Sequence, residues 1–421
     1  MGPAFPFQDD NYVLPDAAAP SLCLKHPTEE QKLRTWTLNH NEWGGALSLE
    51  DYLEREPYLT RIPLSRHGGM THWILTDKAF TRTTEQQTEP VLATCETIRK
   101  RVLVATPLGV QEGIAHGIGS VFTYPEHRGN RYAGRMLQEL GTALKNWQTA
   151  ESVCSVLWSD IGKEYYAKKG WAAFPSSHVE FPVANEAQAR WIAQGEQEWR
   201  KAMGREVALI RYPDLEELCE RDEKLLRTQL LRTAQAAKRK CVAFAPDHDT
   251  IRWHLYRDDF IASLVFRDTP LPLGETGIPS SVKGACAGAE GRRVWALWSR
   301  NYGGSGGGDP AKSVDKNTMY ILRLVIEPEA AEGGLGDEDE DVVTAFKALM
   351  HVALREARIW HLGKIDMWNP SPTAKRLIER SGLQHRWVER DAESIPSMMW
   401  YGDDEDVGDI EWVANEKYCW C

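Results

Sequence analysis

The sequence predicts an α/β (α+β) protein: a mixed sheet flanked by helices, built twice over. Three observations predict it. Apolar residues alternate between strand and helix periods along the chain. The strand–helix–strand–helix run from Ser120 to Gly170 recurs in the same order from Ile321 to Gly382. The two runs also share marks at matching places, Trp158 with Trp368 and helix-ending Gly170 with Gly382. At 421 residues the chain is long enough for two cores. We expect a loose arm over 1–20, a first domain over 21–190 and a degenerate second domain over 205–421.

The elements follow in order. SLCLKHP reads as a strand, and TEEQKLRTWTLNHNEW as a helix capped by Thr28 and stopped by Gly44-Gly45. A second helix starts after Ser48. VLATCETIRKRVLVA and EGIAHGIGSVFTY form two strands split by a Pro-Leu-Gly turn. Met136, Leu137, Leu140, Leu144 and Trp147 recur at three- and four-residue spacing, which marks an amphipathic helix. SVCSVLWS is a buried-type strand, GKEYYAKKG a short helix and HVEFPV a strand. A charged helix from Glu186 to Lys201 leads into the second block, which repeats the rhythm.

Composition excludes several classes. A formal net charge of −11 argues against a nucleic-acid partner. No apolar run approaches the ~20 residues that span a bilayer, so no membrane is expected. The amino terminus lacks a basic region followed by an apolar stretch, and the expected location is cytoplasmic. The eight cysteines form no CxxC pair and no His/Cys metal spacing, so reduced thiols and no metal are expected.

The segment EHRGNRYAGRML, Glu126 to Leu137, gathers arginines and glycines at a strand-to-helix turn. Free backbone N–H groups at a helix start, with the positive end of the helix dipole, favour a bound phosphate. Gly129 allows close approach of the backbone. No Lys-Ser/Thr pair follows and the spacing is not GxGxxG, so neither a nucleoside-triphosphate loop nor a dinucleotide fold is expected.

Together with DIGKEYYAKKGW about thirty residues later, this turn resembles the Gcn5-related N-acetyltransferase (GNAT) superfamily. The pyrophosphate signature reads Arg128-x-x-Arg131-x-Ala133, with Arg131 where the superfamily has a glycine. Over most of its length the chain resembles fungal lysine N-acetyltransferases, through NHNEWGGALSLEDYLERE, CETIRKR, AHGIGSVF, IPSMMWYG and WVANEKYCWC. The resemblance implies acetyl-CoA as co-substrate. It implies that Val121, Phe122 and Thr123 pair with the pantetheine arm. Arg128, Gly129, Asn130, Arg131, Tyr132, Ala133 and Gly134 would then hold the pyrophosphate. It further implies that Tyr166 protonates the departing thiolate, its neighbour Tyr165 belonging to the core.

The acceptor amine must lose a proton. His116 and Glu96 are the candidate bases, and Glu42 and Trp43 the candidate receivers of an ammonium group. The small-molecule amine implied is L-lysine; a polyamine, a protein lysine and a non-catalytic acyl-CoA sensor stand as alternatives. The second half carries acids in AEGGLGDEDED and Ile378 where the first has Tyr166. That half is expected to bind no coenzyme, with MMWYG and ANEKYCWC as substrate walls.

Overall fold

A computed structural model describes residues 12–81, 88–203, 207–267, 282–304, 309–330, 339–402 and 406–421. The first part of the chain runs β1 (Leu22–Lys25), α1 (Glu29–Trp43), α2 (Leu49–Leu59), β2 (Met70–Asp77), β3 (Ala93–Thr106), β4 (Gly109–Phe122), α3 (Tyr132–Leu144), β5 (Cys154–Ser159), α4 (Glu164–Ala167), β6 (Ala172–Ala173), β7 (Ser177–Pro182) and α5 (Glu186–Met203). It continues through β8 (Ala208–Ile210), α6 (Leu215–Ala237), β9 (Cys241–Phe244), α7 (His248–Val265), β10 (Gly284–Ala287), β11 (Val294–Asn301), β12 (Thr318–Ile326) and α8 (Glu327–Ala330). Last come α9 (Glu340–Ile359), β13 (Lys364–Trp368), α10 (Pro372–Ser381), β14 (Arg386–Glu389), β15 (Ile395–Trp400) and β16 (Glu411–Trp412).

Local chemistry fixes the helix starts as the sequence foretold. Thr28 and Gln31 form a reciprocal capping box on α1, and Ser48 caps α2. The Pro-Leu-Gly turn joins β3 to β4 in a long antiparallel hairpin.

Among the described residues two mixed sheets form. One has the order β1-β2-β3-β4-β5-β15-β6, with β9 on β3 and β16 on β9; the other runs β14-β7-β13-β12-β11-β10-β8. Each contains one parallel pair of consecutive sequence relationship, separated by a helix. Ala115–Ile118 of β4 pairs with Cys154–Leu157 of β5, and Thr318–Ile321 of β12 with Lys364–Met367 of β13. In both cases pairing stops short of the strands' carboxyl ends. Trp158 and Trp368 stand one residue past the last pair, and Gly170 and Gly382 both take positive φ after the next helix. The two sheets thus repeat one register, as the expected duplication requires.

The sheets do not divide at one point in the sequence. β7, from the segment expected in the first domain, pairs with β13 and β14 of the second sheet. β15, β9 and β16 enter the first sheet instead. IPSMMW, which leads into the expected wall segment MMWYG, is a strand between β5 and β6.

The expected loose arm is corrected over its described part. Pro15 O accepts from the buried Tyr132 hydroxyl at 2.6 Å and Ala17 O from Arg135 at 3.0 Å, so residues 15–17 are pinned to α3. Residues 1–11 lie outside the described residues.

The last residues thread between the halves. Glu416 accepts the amide of Leu324 at 2.8 Å. The Lys417 amine lies over the rings of Tyr320 and Trp368, at 4.6 and 4.1 Å, where β12 and β13 part. Farther on, Lys100 donates to the carbonyls of Cys419 and Trp420, at 2.7 and 2.9 Å. Cys421 then lies against β4. A Cβ at Gly117 would stand 2.7 Å from its sulfur, so only glycine fits there. All eight cysteines are free thiols.

Candidate active site

Two of the predicted regions meet where β4 leaves β5: the anion turn and a polar cleft on the sheet. The turn comes first. Gly129 has φ 87° and Arg131 φ 63°, both left-handed. Arginine thus adopts the conformation for which the superfamily spends a glycine, and its side chain points to solvent. Among the described residues, the amides from Gly129 to Gly134 have no acceptor; helical bonding begins with Arg135 N to Arg131 O at 3.2 Å. A Cβ at Gly129 would meet nothing within 4 Å. Arg131 has no ion-pair partner among the described residues, whereas Arg135 is held by Glu139 at 2.9 Å. Open amides, a helix N-terminus and a free guanidinium together suit an anionic group such as a pyrophosphate.

β4 is irregular as it approaches the turn. Thr94 pairs with Phe122 and Glu96 with Gly119, so two residues of β3 span three of β4. Ser120 in this bulge has φ 52°. The backbone groups of Val121, Phe122 and Thr123 follow it.

The cleft spans about 340 Å³, part of it open to solvent. Its lining includes Trp36 and Asn39 of α1, Glu56 of α2, His72 and Trp73 of β2, Thr94 and Glu96 of β3, and Ser120. Glu96 accepts from the Ser120 hydroxyl at 2.8 Å and stands 3.5 Å from His72 Nε2, its cross-strand partner. Burial raises the Glu96 carboxyl pKa above its ordinary value, against the pull of Ser120, Arg55 and Arg257. Burial lowers His72 to about 4, so this imidazole is neutral at physiological pH. The buried oxygens Asn39 Oδ1 and Thr94 Oγ1 have no partner among the described residues, and both belong to residues that line the cleft. Glu56 is bound to Arg55, which itself stacks over Tyr52 at 4.2 Å.

Tyr166 packs on the other face of the sheet, among Cys95, Ile118, Leu157 and Trp73. Its hydroxyl has no hydrogen-bond partner among the described residues, and burial raises its pKa. Tyr165 meets it edge-on at 5.2 Å and is half-buried, at the edge of the core.

Two sequence expectations are relocated. His116 shares the face of Ile118, but that is the α3 face, opposite Glu96. It is fully buried, its Nδ1 lies 3.3 Å from Ser152 Oγ, and burial lowers its pKa to about 4. It does not line the cleft. Glu42 and Trp43 also lie outside it. Glu42 stands 3.4 Å from Arg128, and Trp43 contacts Phe122 at 6.0 Å, so both flank the anion turn. Sequence reasoning missed Asn39, Glu56, His72 and Thr94, which antiparallel pairing and helix packing bring to Glu96. Asn39 and Glu56 do fall inside the segment NHNEWGGALSLEDYLERE.

Among the described residues one group of side chains has metal-ligand spacing, His178, Glu180 and Asp366 in the second sheet. Lys364 already reaches both acids at 2.9 Å, and Arg386 also pairs with Glu180, so the two carboxylates already have cationic partners.

A family profile described as the LYC1 GNAT-like C-terminal domain matches residues 178–421. The chain belongs to this family. The match begins within β7, where the chain crosses into the second sheet. The LYC1 GNAT-like chain is an acyltransferase of GNAT type. A lysine acetyltransferase of Yarrowia lipolytica (strain CLIB 122 / E 150) is 23% identical over 442 residues, covering 95% of this chain and 100% of that relative. An uncharacterized protein of Saccharomyces cerevisiae (strain ATCC 204508 / S288c) is 25% identical over 428 residues, covering 93% and 96%. The GCN5-related N-acetyltransferase of Anabaena variabilis ATCC 29413 superposes with a TM-score of 0.47 at 12% identity, covering 90% of this chain and 73% of that one.

Proposed function

We propose that the protein transfers an acetyl group from acetyl-CoA to the ε-amine of free L-lysine. The observation that carries this reading is Glu96. It is a half-buried carboxylate with a raised pKa, in a cleft of unsatisfied acceptors, and it sits on the strand beside the β4 bulge. Similarity to the Yarrowia lysine acetyltransferase supports lysine as the acceptor.

An ε-amine has a pKa near ~10.4, so presenting it neutral at pH 7 costs roughly 4–5 kcal/mol. Glu96 takes that proton, directly or through one water, and Ser120 holds its other oxygen in place. The amine nitrogen attacks the thioester carbonyl; the C–N bond forms as the C–S bond breaks. Tyr166 supplies the phenolic proton to the departing sulfur, and the second proton, which the nitrogen loses as the amide forms, restores the phenol through solvent. The free amides of Gly129 to Gly134 and the Arg131 charge hold the coenzyme's diphosphate. The domain roles follow: the first sheet carries the chemistry, and the second, whose strand gap is filled by Lys417, buttresses the cleft.

Thiol release from acetyl-CoA, followed with lysine, ornithine, spermidine and a histone-tail peptide, tests the proposal. Lysine should give the highest kcat/KM. Turnover confined to spermidine or the peptide moves the substrate assignment, and no turnover with any of them favours a sensor.

A further inference from the structure

Helix α7, packed against the α2 that brings Glu56 to the cleft, carries a cation that the mechanism leaves unused. Arg257 is on α7, one turn beyond Trp253 and His254, which donate or bond to Ser65 and to the Tyr418 carbonyl. Helix α7 thereby clamps the last residues of the chain against α2 and β3, where Leu59, Ile62, Ile98, Trp253, Trp420 and Cys421 pack together. Arg257 is only partly accessible. Among the described residues no carboxylate, carbonyl or hydroxyl accepts from its guanidinium; its one contact is the Trp420 ring, 5.6 Å away. The like and opposite charges that act on it most strongly are Arg55 and Glu56. Glu56 is already bound to Arg55, and the adjacent Asp258 is bound to Arg300 at 2.8 Å.

A guanidinium withdrawn from water costs several kcal/mol unless something answers its charge. Among the described residues Glu56 and Asp258 act on it through their fields, but neither bonds to it. The cost shows in its pKa, lowered to about 10 by burial and then by the Arg55 charge. A planar fork of donors in this setting matches a carboxylate in two parallel bonds. The field of Arg257 also reaches Glu96, whose carboxylate lines the cleft. An acceptor that brings an amine to Glu96 and a carboxylate to Arg257 would satisfy both.

We infer that Arg257 is the specificity residue of the acceptor site, binding the carboxylate of an amino-acid substrate. This rests on the free-lysine reading above and deepens it by naming the residue that selects an amine with a carboxylate. Polyamines and peptide-linked lysines, which lack a free carboxylate at that distance, are selected against by the same unbonded guanidinium.

The test compares L-lysine, L-lysinamide and cadaverine in wild type, Arg257→Gln and Arg257→Lys, by thiol release. Charged hydrogen bonds are worth about 1.5–3 kcal/mol, so wild type should prefer lysine over cadaverine in kcat/KM by about 10- to 150-fold. Arg257→Gln should raise KM for lysine by a similar factor and collapse that preference. Arg257→Lys should recover part of it, because the charge remains but not the fork. Calorimetry of N-ε-acetyl-L-lysine binding should show the same loss in Arg257→Gln, and thermal melting should show that variant no less stable. A wild type that uses cadaverine or lysinamide as well as lysine overturns the inference. So does an Arg257→Gln enzyme whose KM for lysine stays within twofold of wild type. A wild type that acetylates none of the three overturns the acyl-transfer reading itself, and this inference with it.

Discussion

The Ser120 hydroxyl donates to Glu96 Oε1 at 2.8 Å from a residue whose backbone is left-handed, with φ 52°. The bulge that strains Ser120 is thus what turns its side chain toward the half-buried carboxylate. One oxygen of Glu96 is held, and the other is left to His72 and the cleft.

Glu96→Gln should lower kcat by about 10²–10⁴-fold, the usual weight of a general base. The KM for acetyl-CoA should change little. Because burial raises the Glu96 pKa, activity should fall on the acid side at a pH above the ordinary carboxylate range, and the variant's residual rate should lose that limb. A raised carboxyl pKa also means that ionised Glu96 adds no stability at neutral pH, so the variant should melt no lower than wild type. A pH–rate profile and a melting curve check both. A variant that keeps wild-type kcat removes Glu96 as the base.

Tyr166→Phe should lower kcat more than it raises the KM for acetyl-CoA. The hydroxyl bonds to nothing among the described residues, so its removal should leave the fold intact while withdrawing a proton donor. An unchanged kcat takes Tyr166 out of the mechanism.

The anion turn separates strain from charge. Arg131→Gly should stabilise the fold by about 1 kcal/mol, the approximate cost of a left-handed L-residue, and weaken CoA binding. The salt dependence of that binding should become shallower, since a phosphate-facing charge has gone. Gly129→Glu sets a carboxylate beside the open amides and should abolish binding. Calorimetry with CoA at low and high salt reads all three; wild-type affinity in Gly129→Glu refutes the phosphate assignment.

His116 should matter for stability and not for the pH–rate profile. Its pKa is depressed from 6.5 to about 4 by burial, so the unfolded chain binds its proton first. The stability it lends is present above pH 6.5 and is lost as pH falls toward 4, by about 3 kcal/mol. His116→Gln should flatten that part of the stability curve by one proton's worth in denaturant titrations at successive pH values.

Much of this was legible in the sequence. Periodicity and caps marked the helices, and the turn before α3 announced itself by Gly129 and its arginines, because those signals are local. The cleft was not local. His72 meets Glu96 only through the β2–β3 register, and Asn39 arrives on a packed helix. His116 was on the face deduced from Ile118, but which face opens to the acceptor depends on where α2, α7 and the final residues pack. β15 escaped notice because a six-residue strand inserted from the far end of the chain leaves no pattern of its own.

The exchange of β7 and β15 between the sheets bears on how the protein is made. A ribosome delivers the first sheet's strands early, yet β5 lacks its neighbour until Ile395–Trp400 emerges. Nascent chains therefore expose an open sheet edge through most of synthesis, and neither half, expressed as a separate fragment, has the strands to close itself.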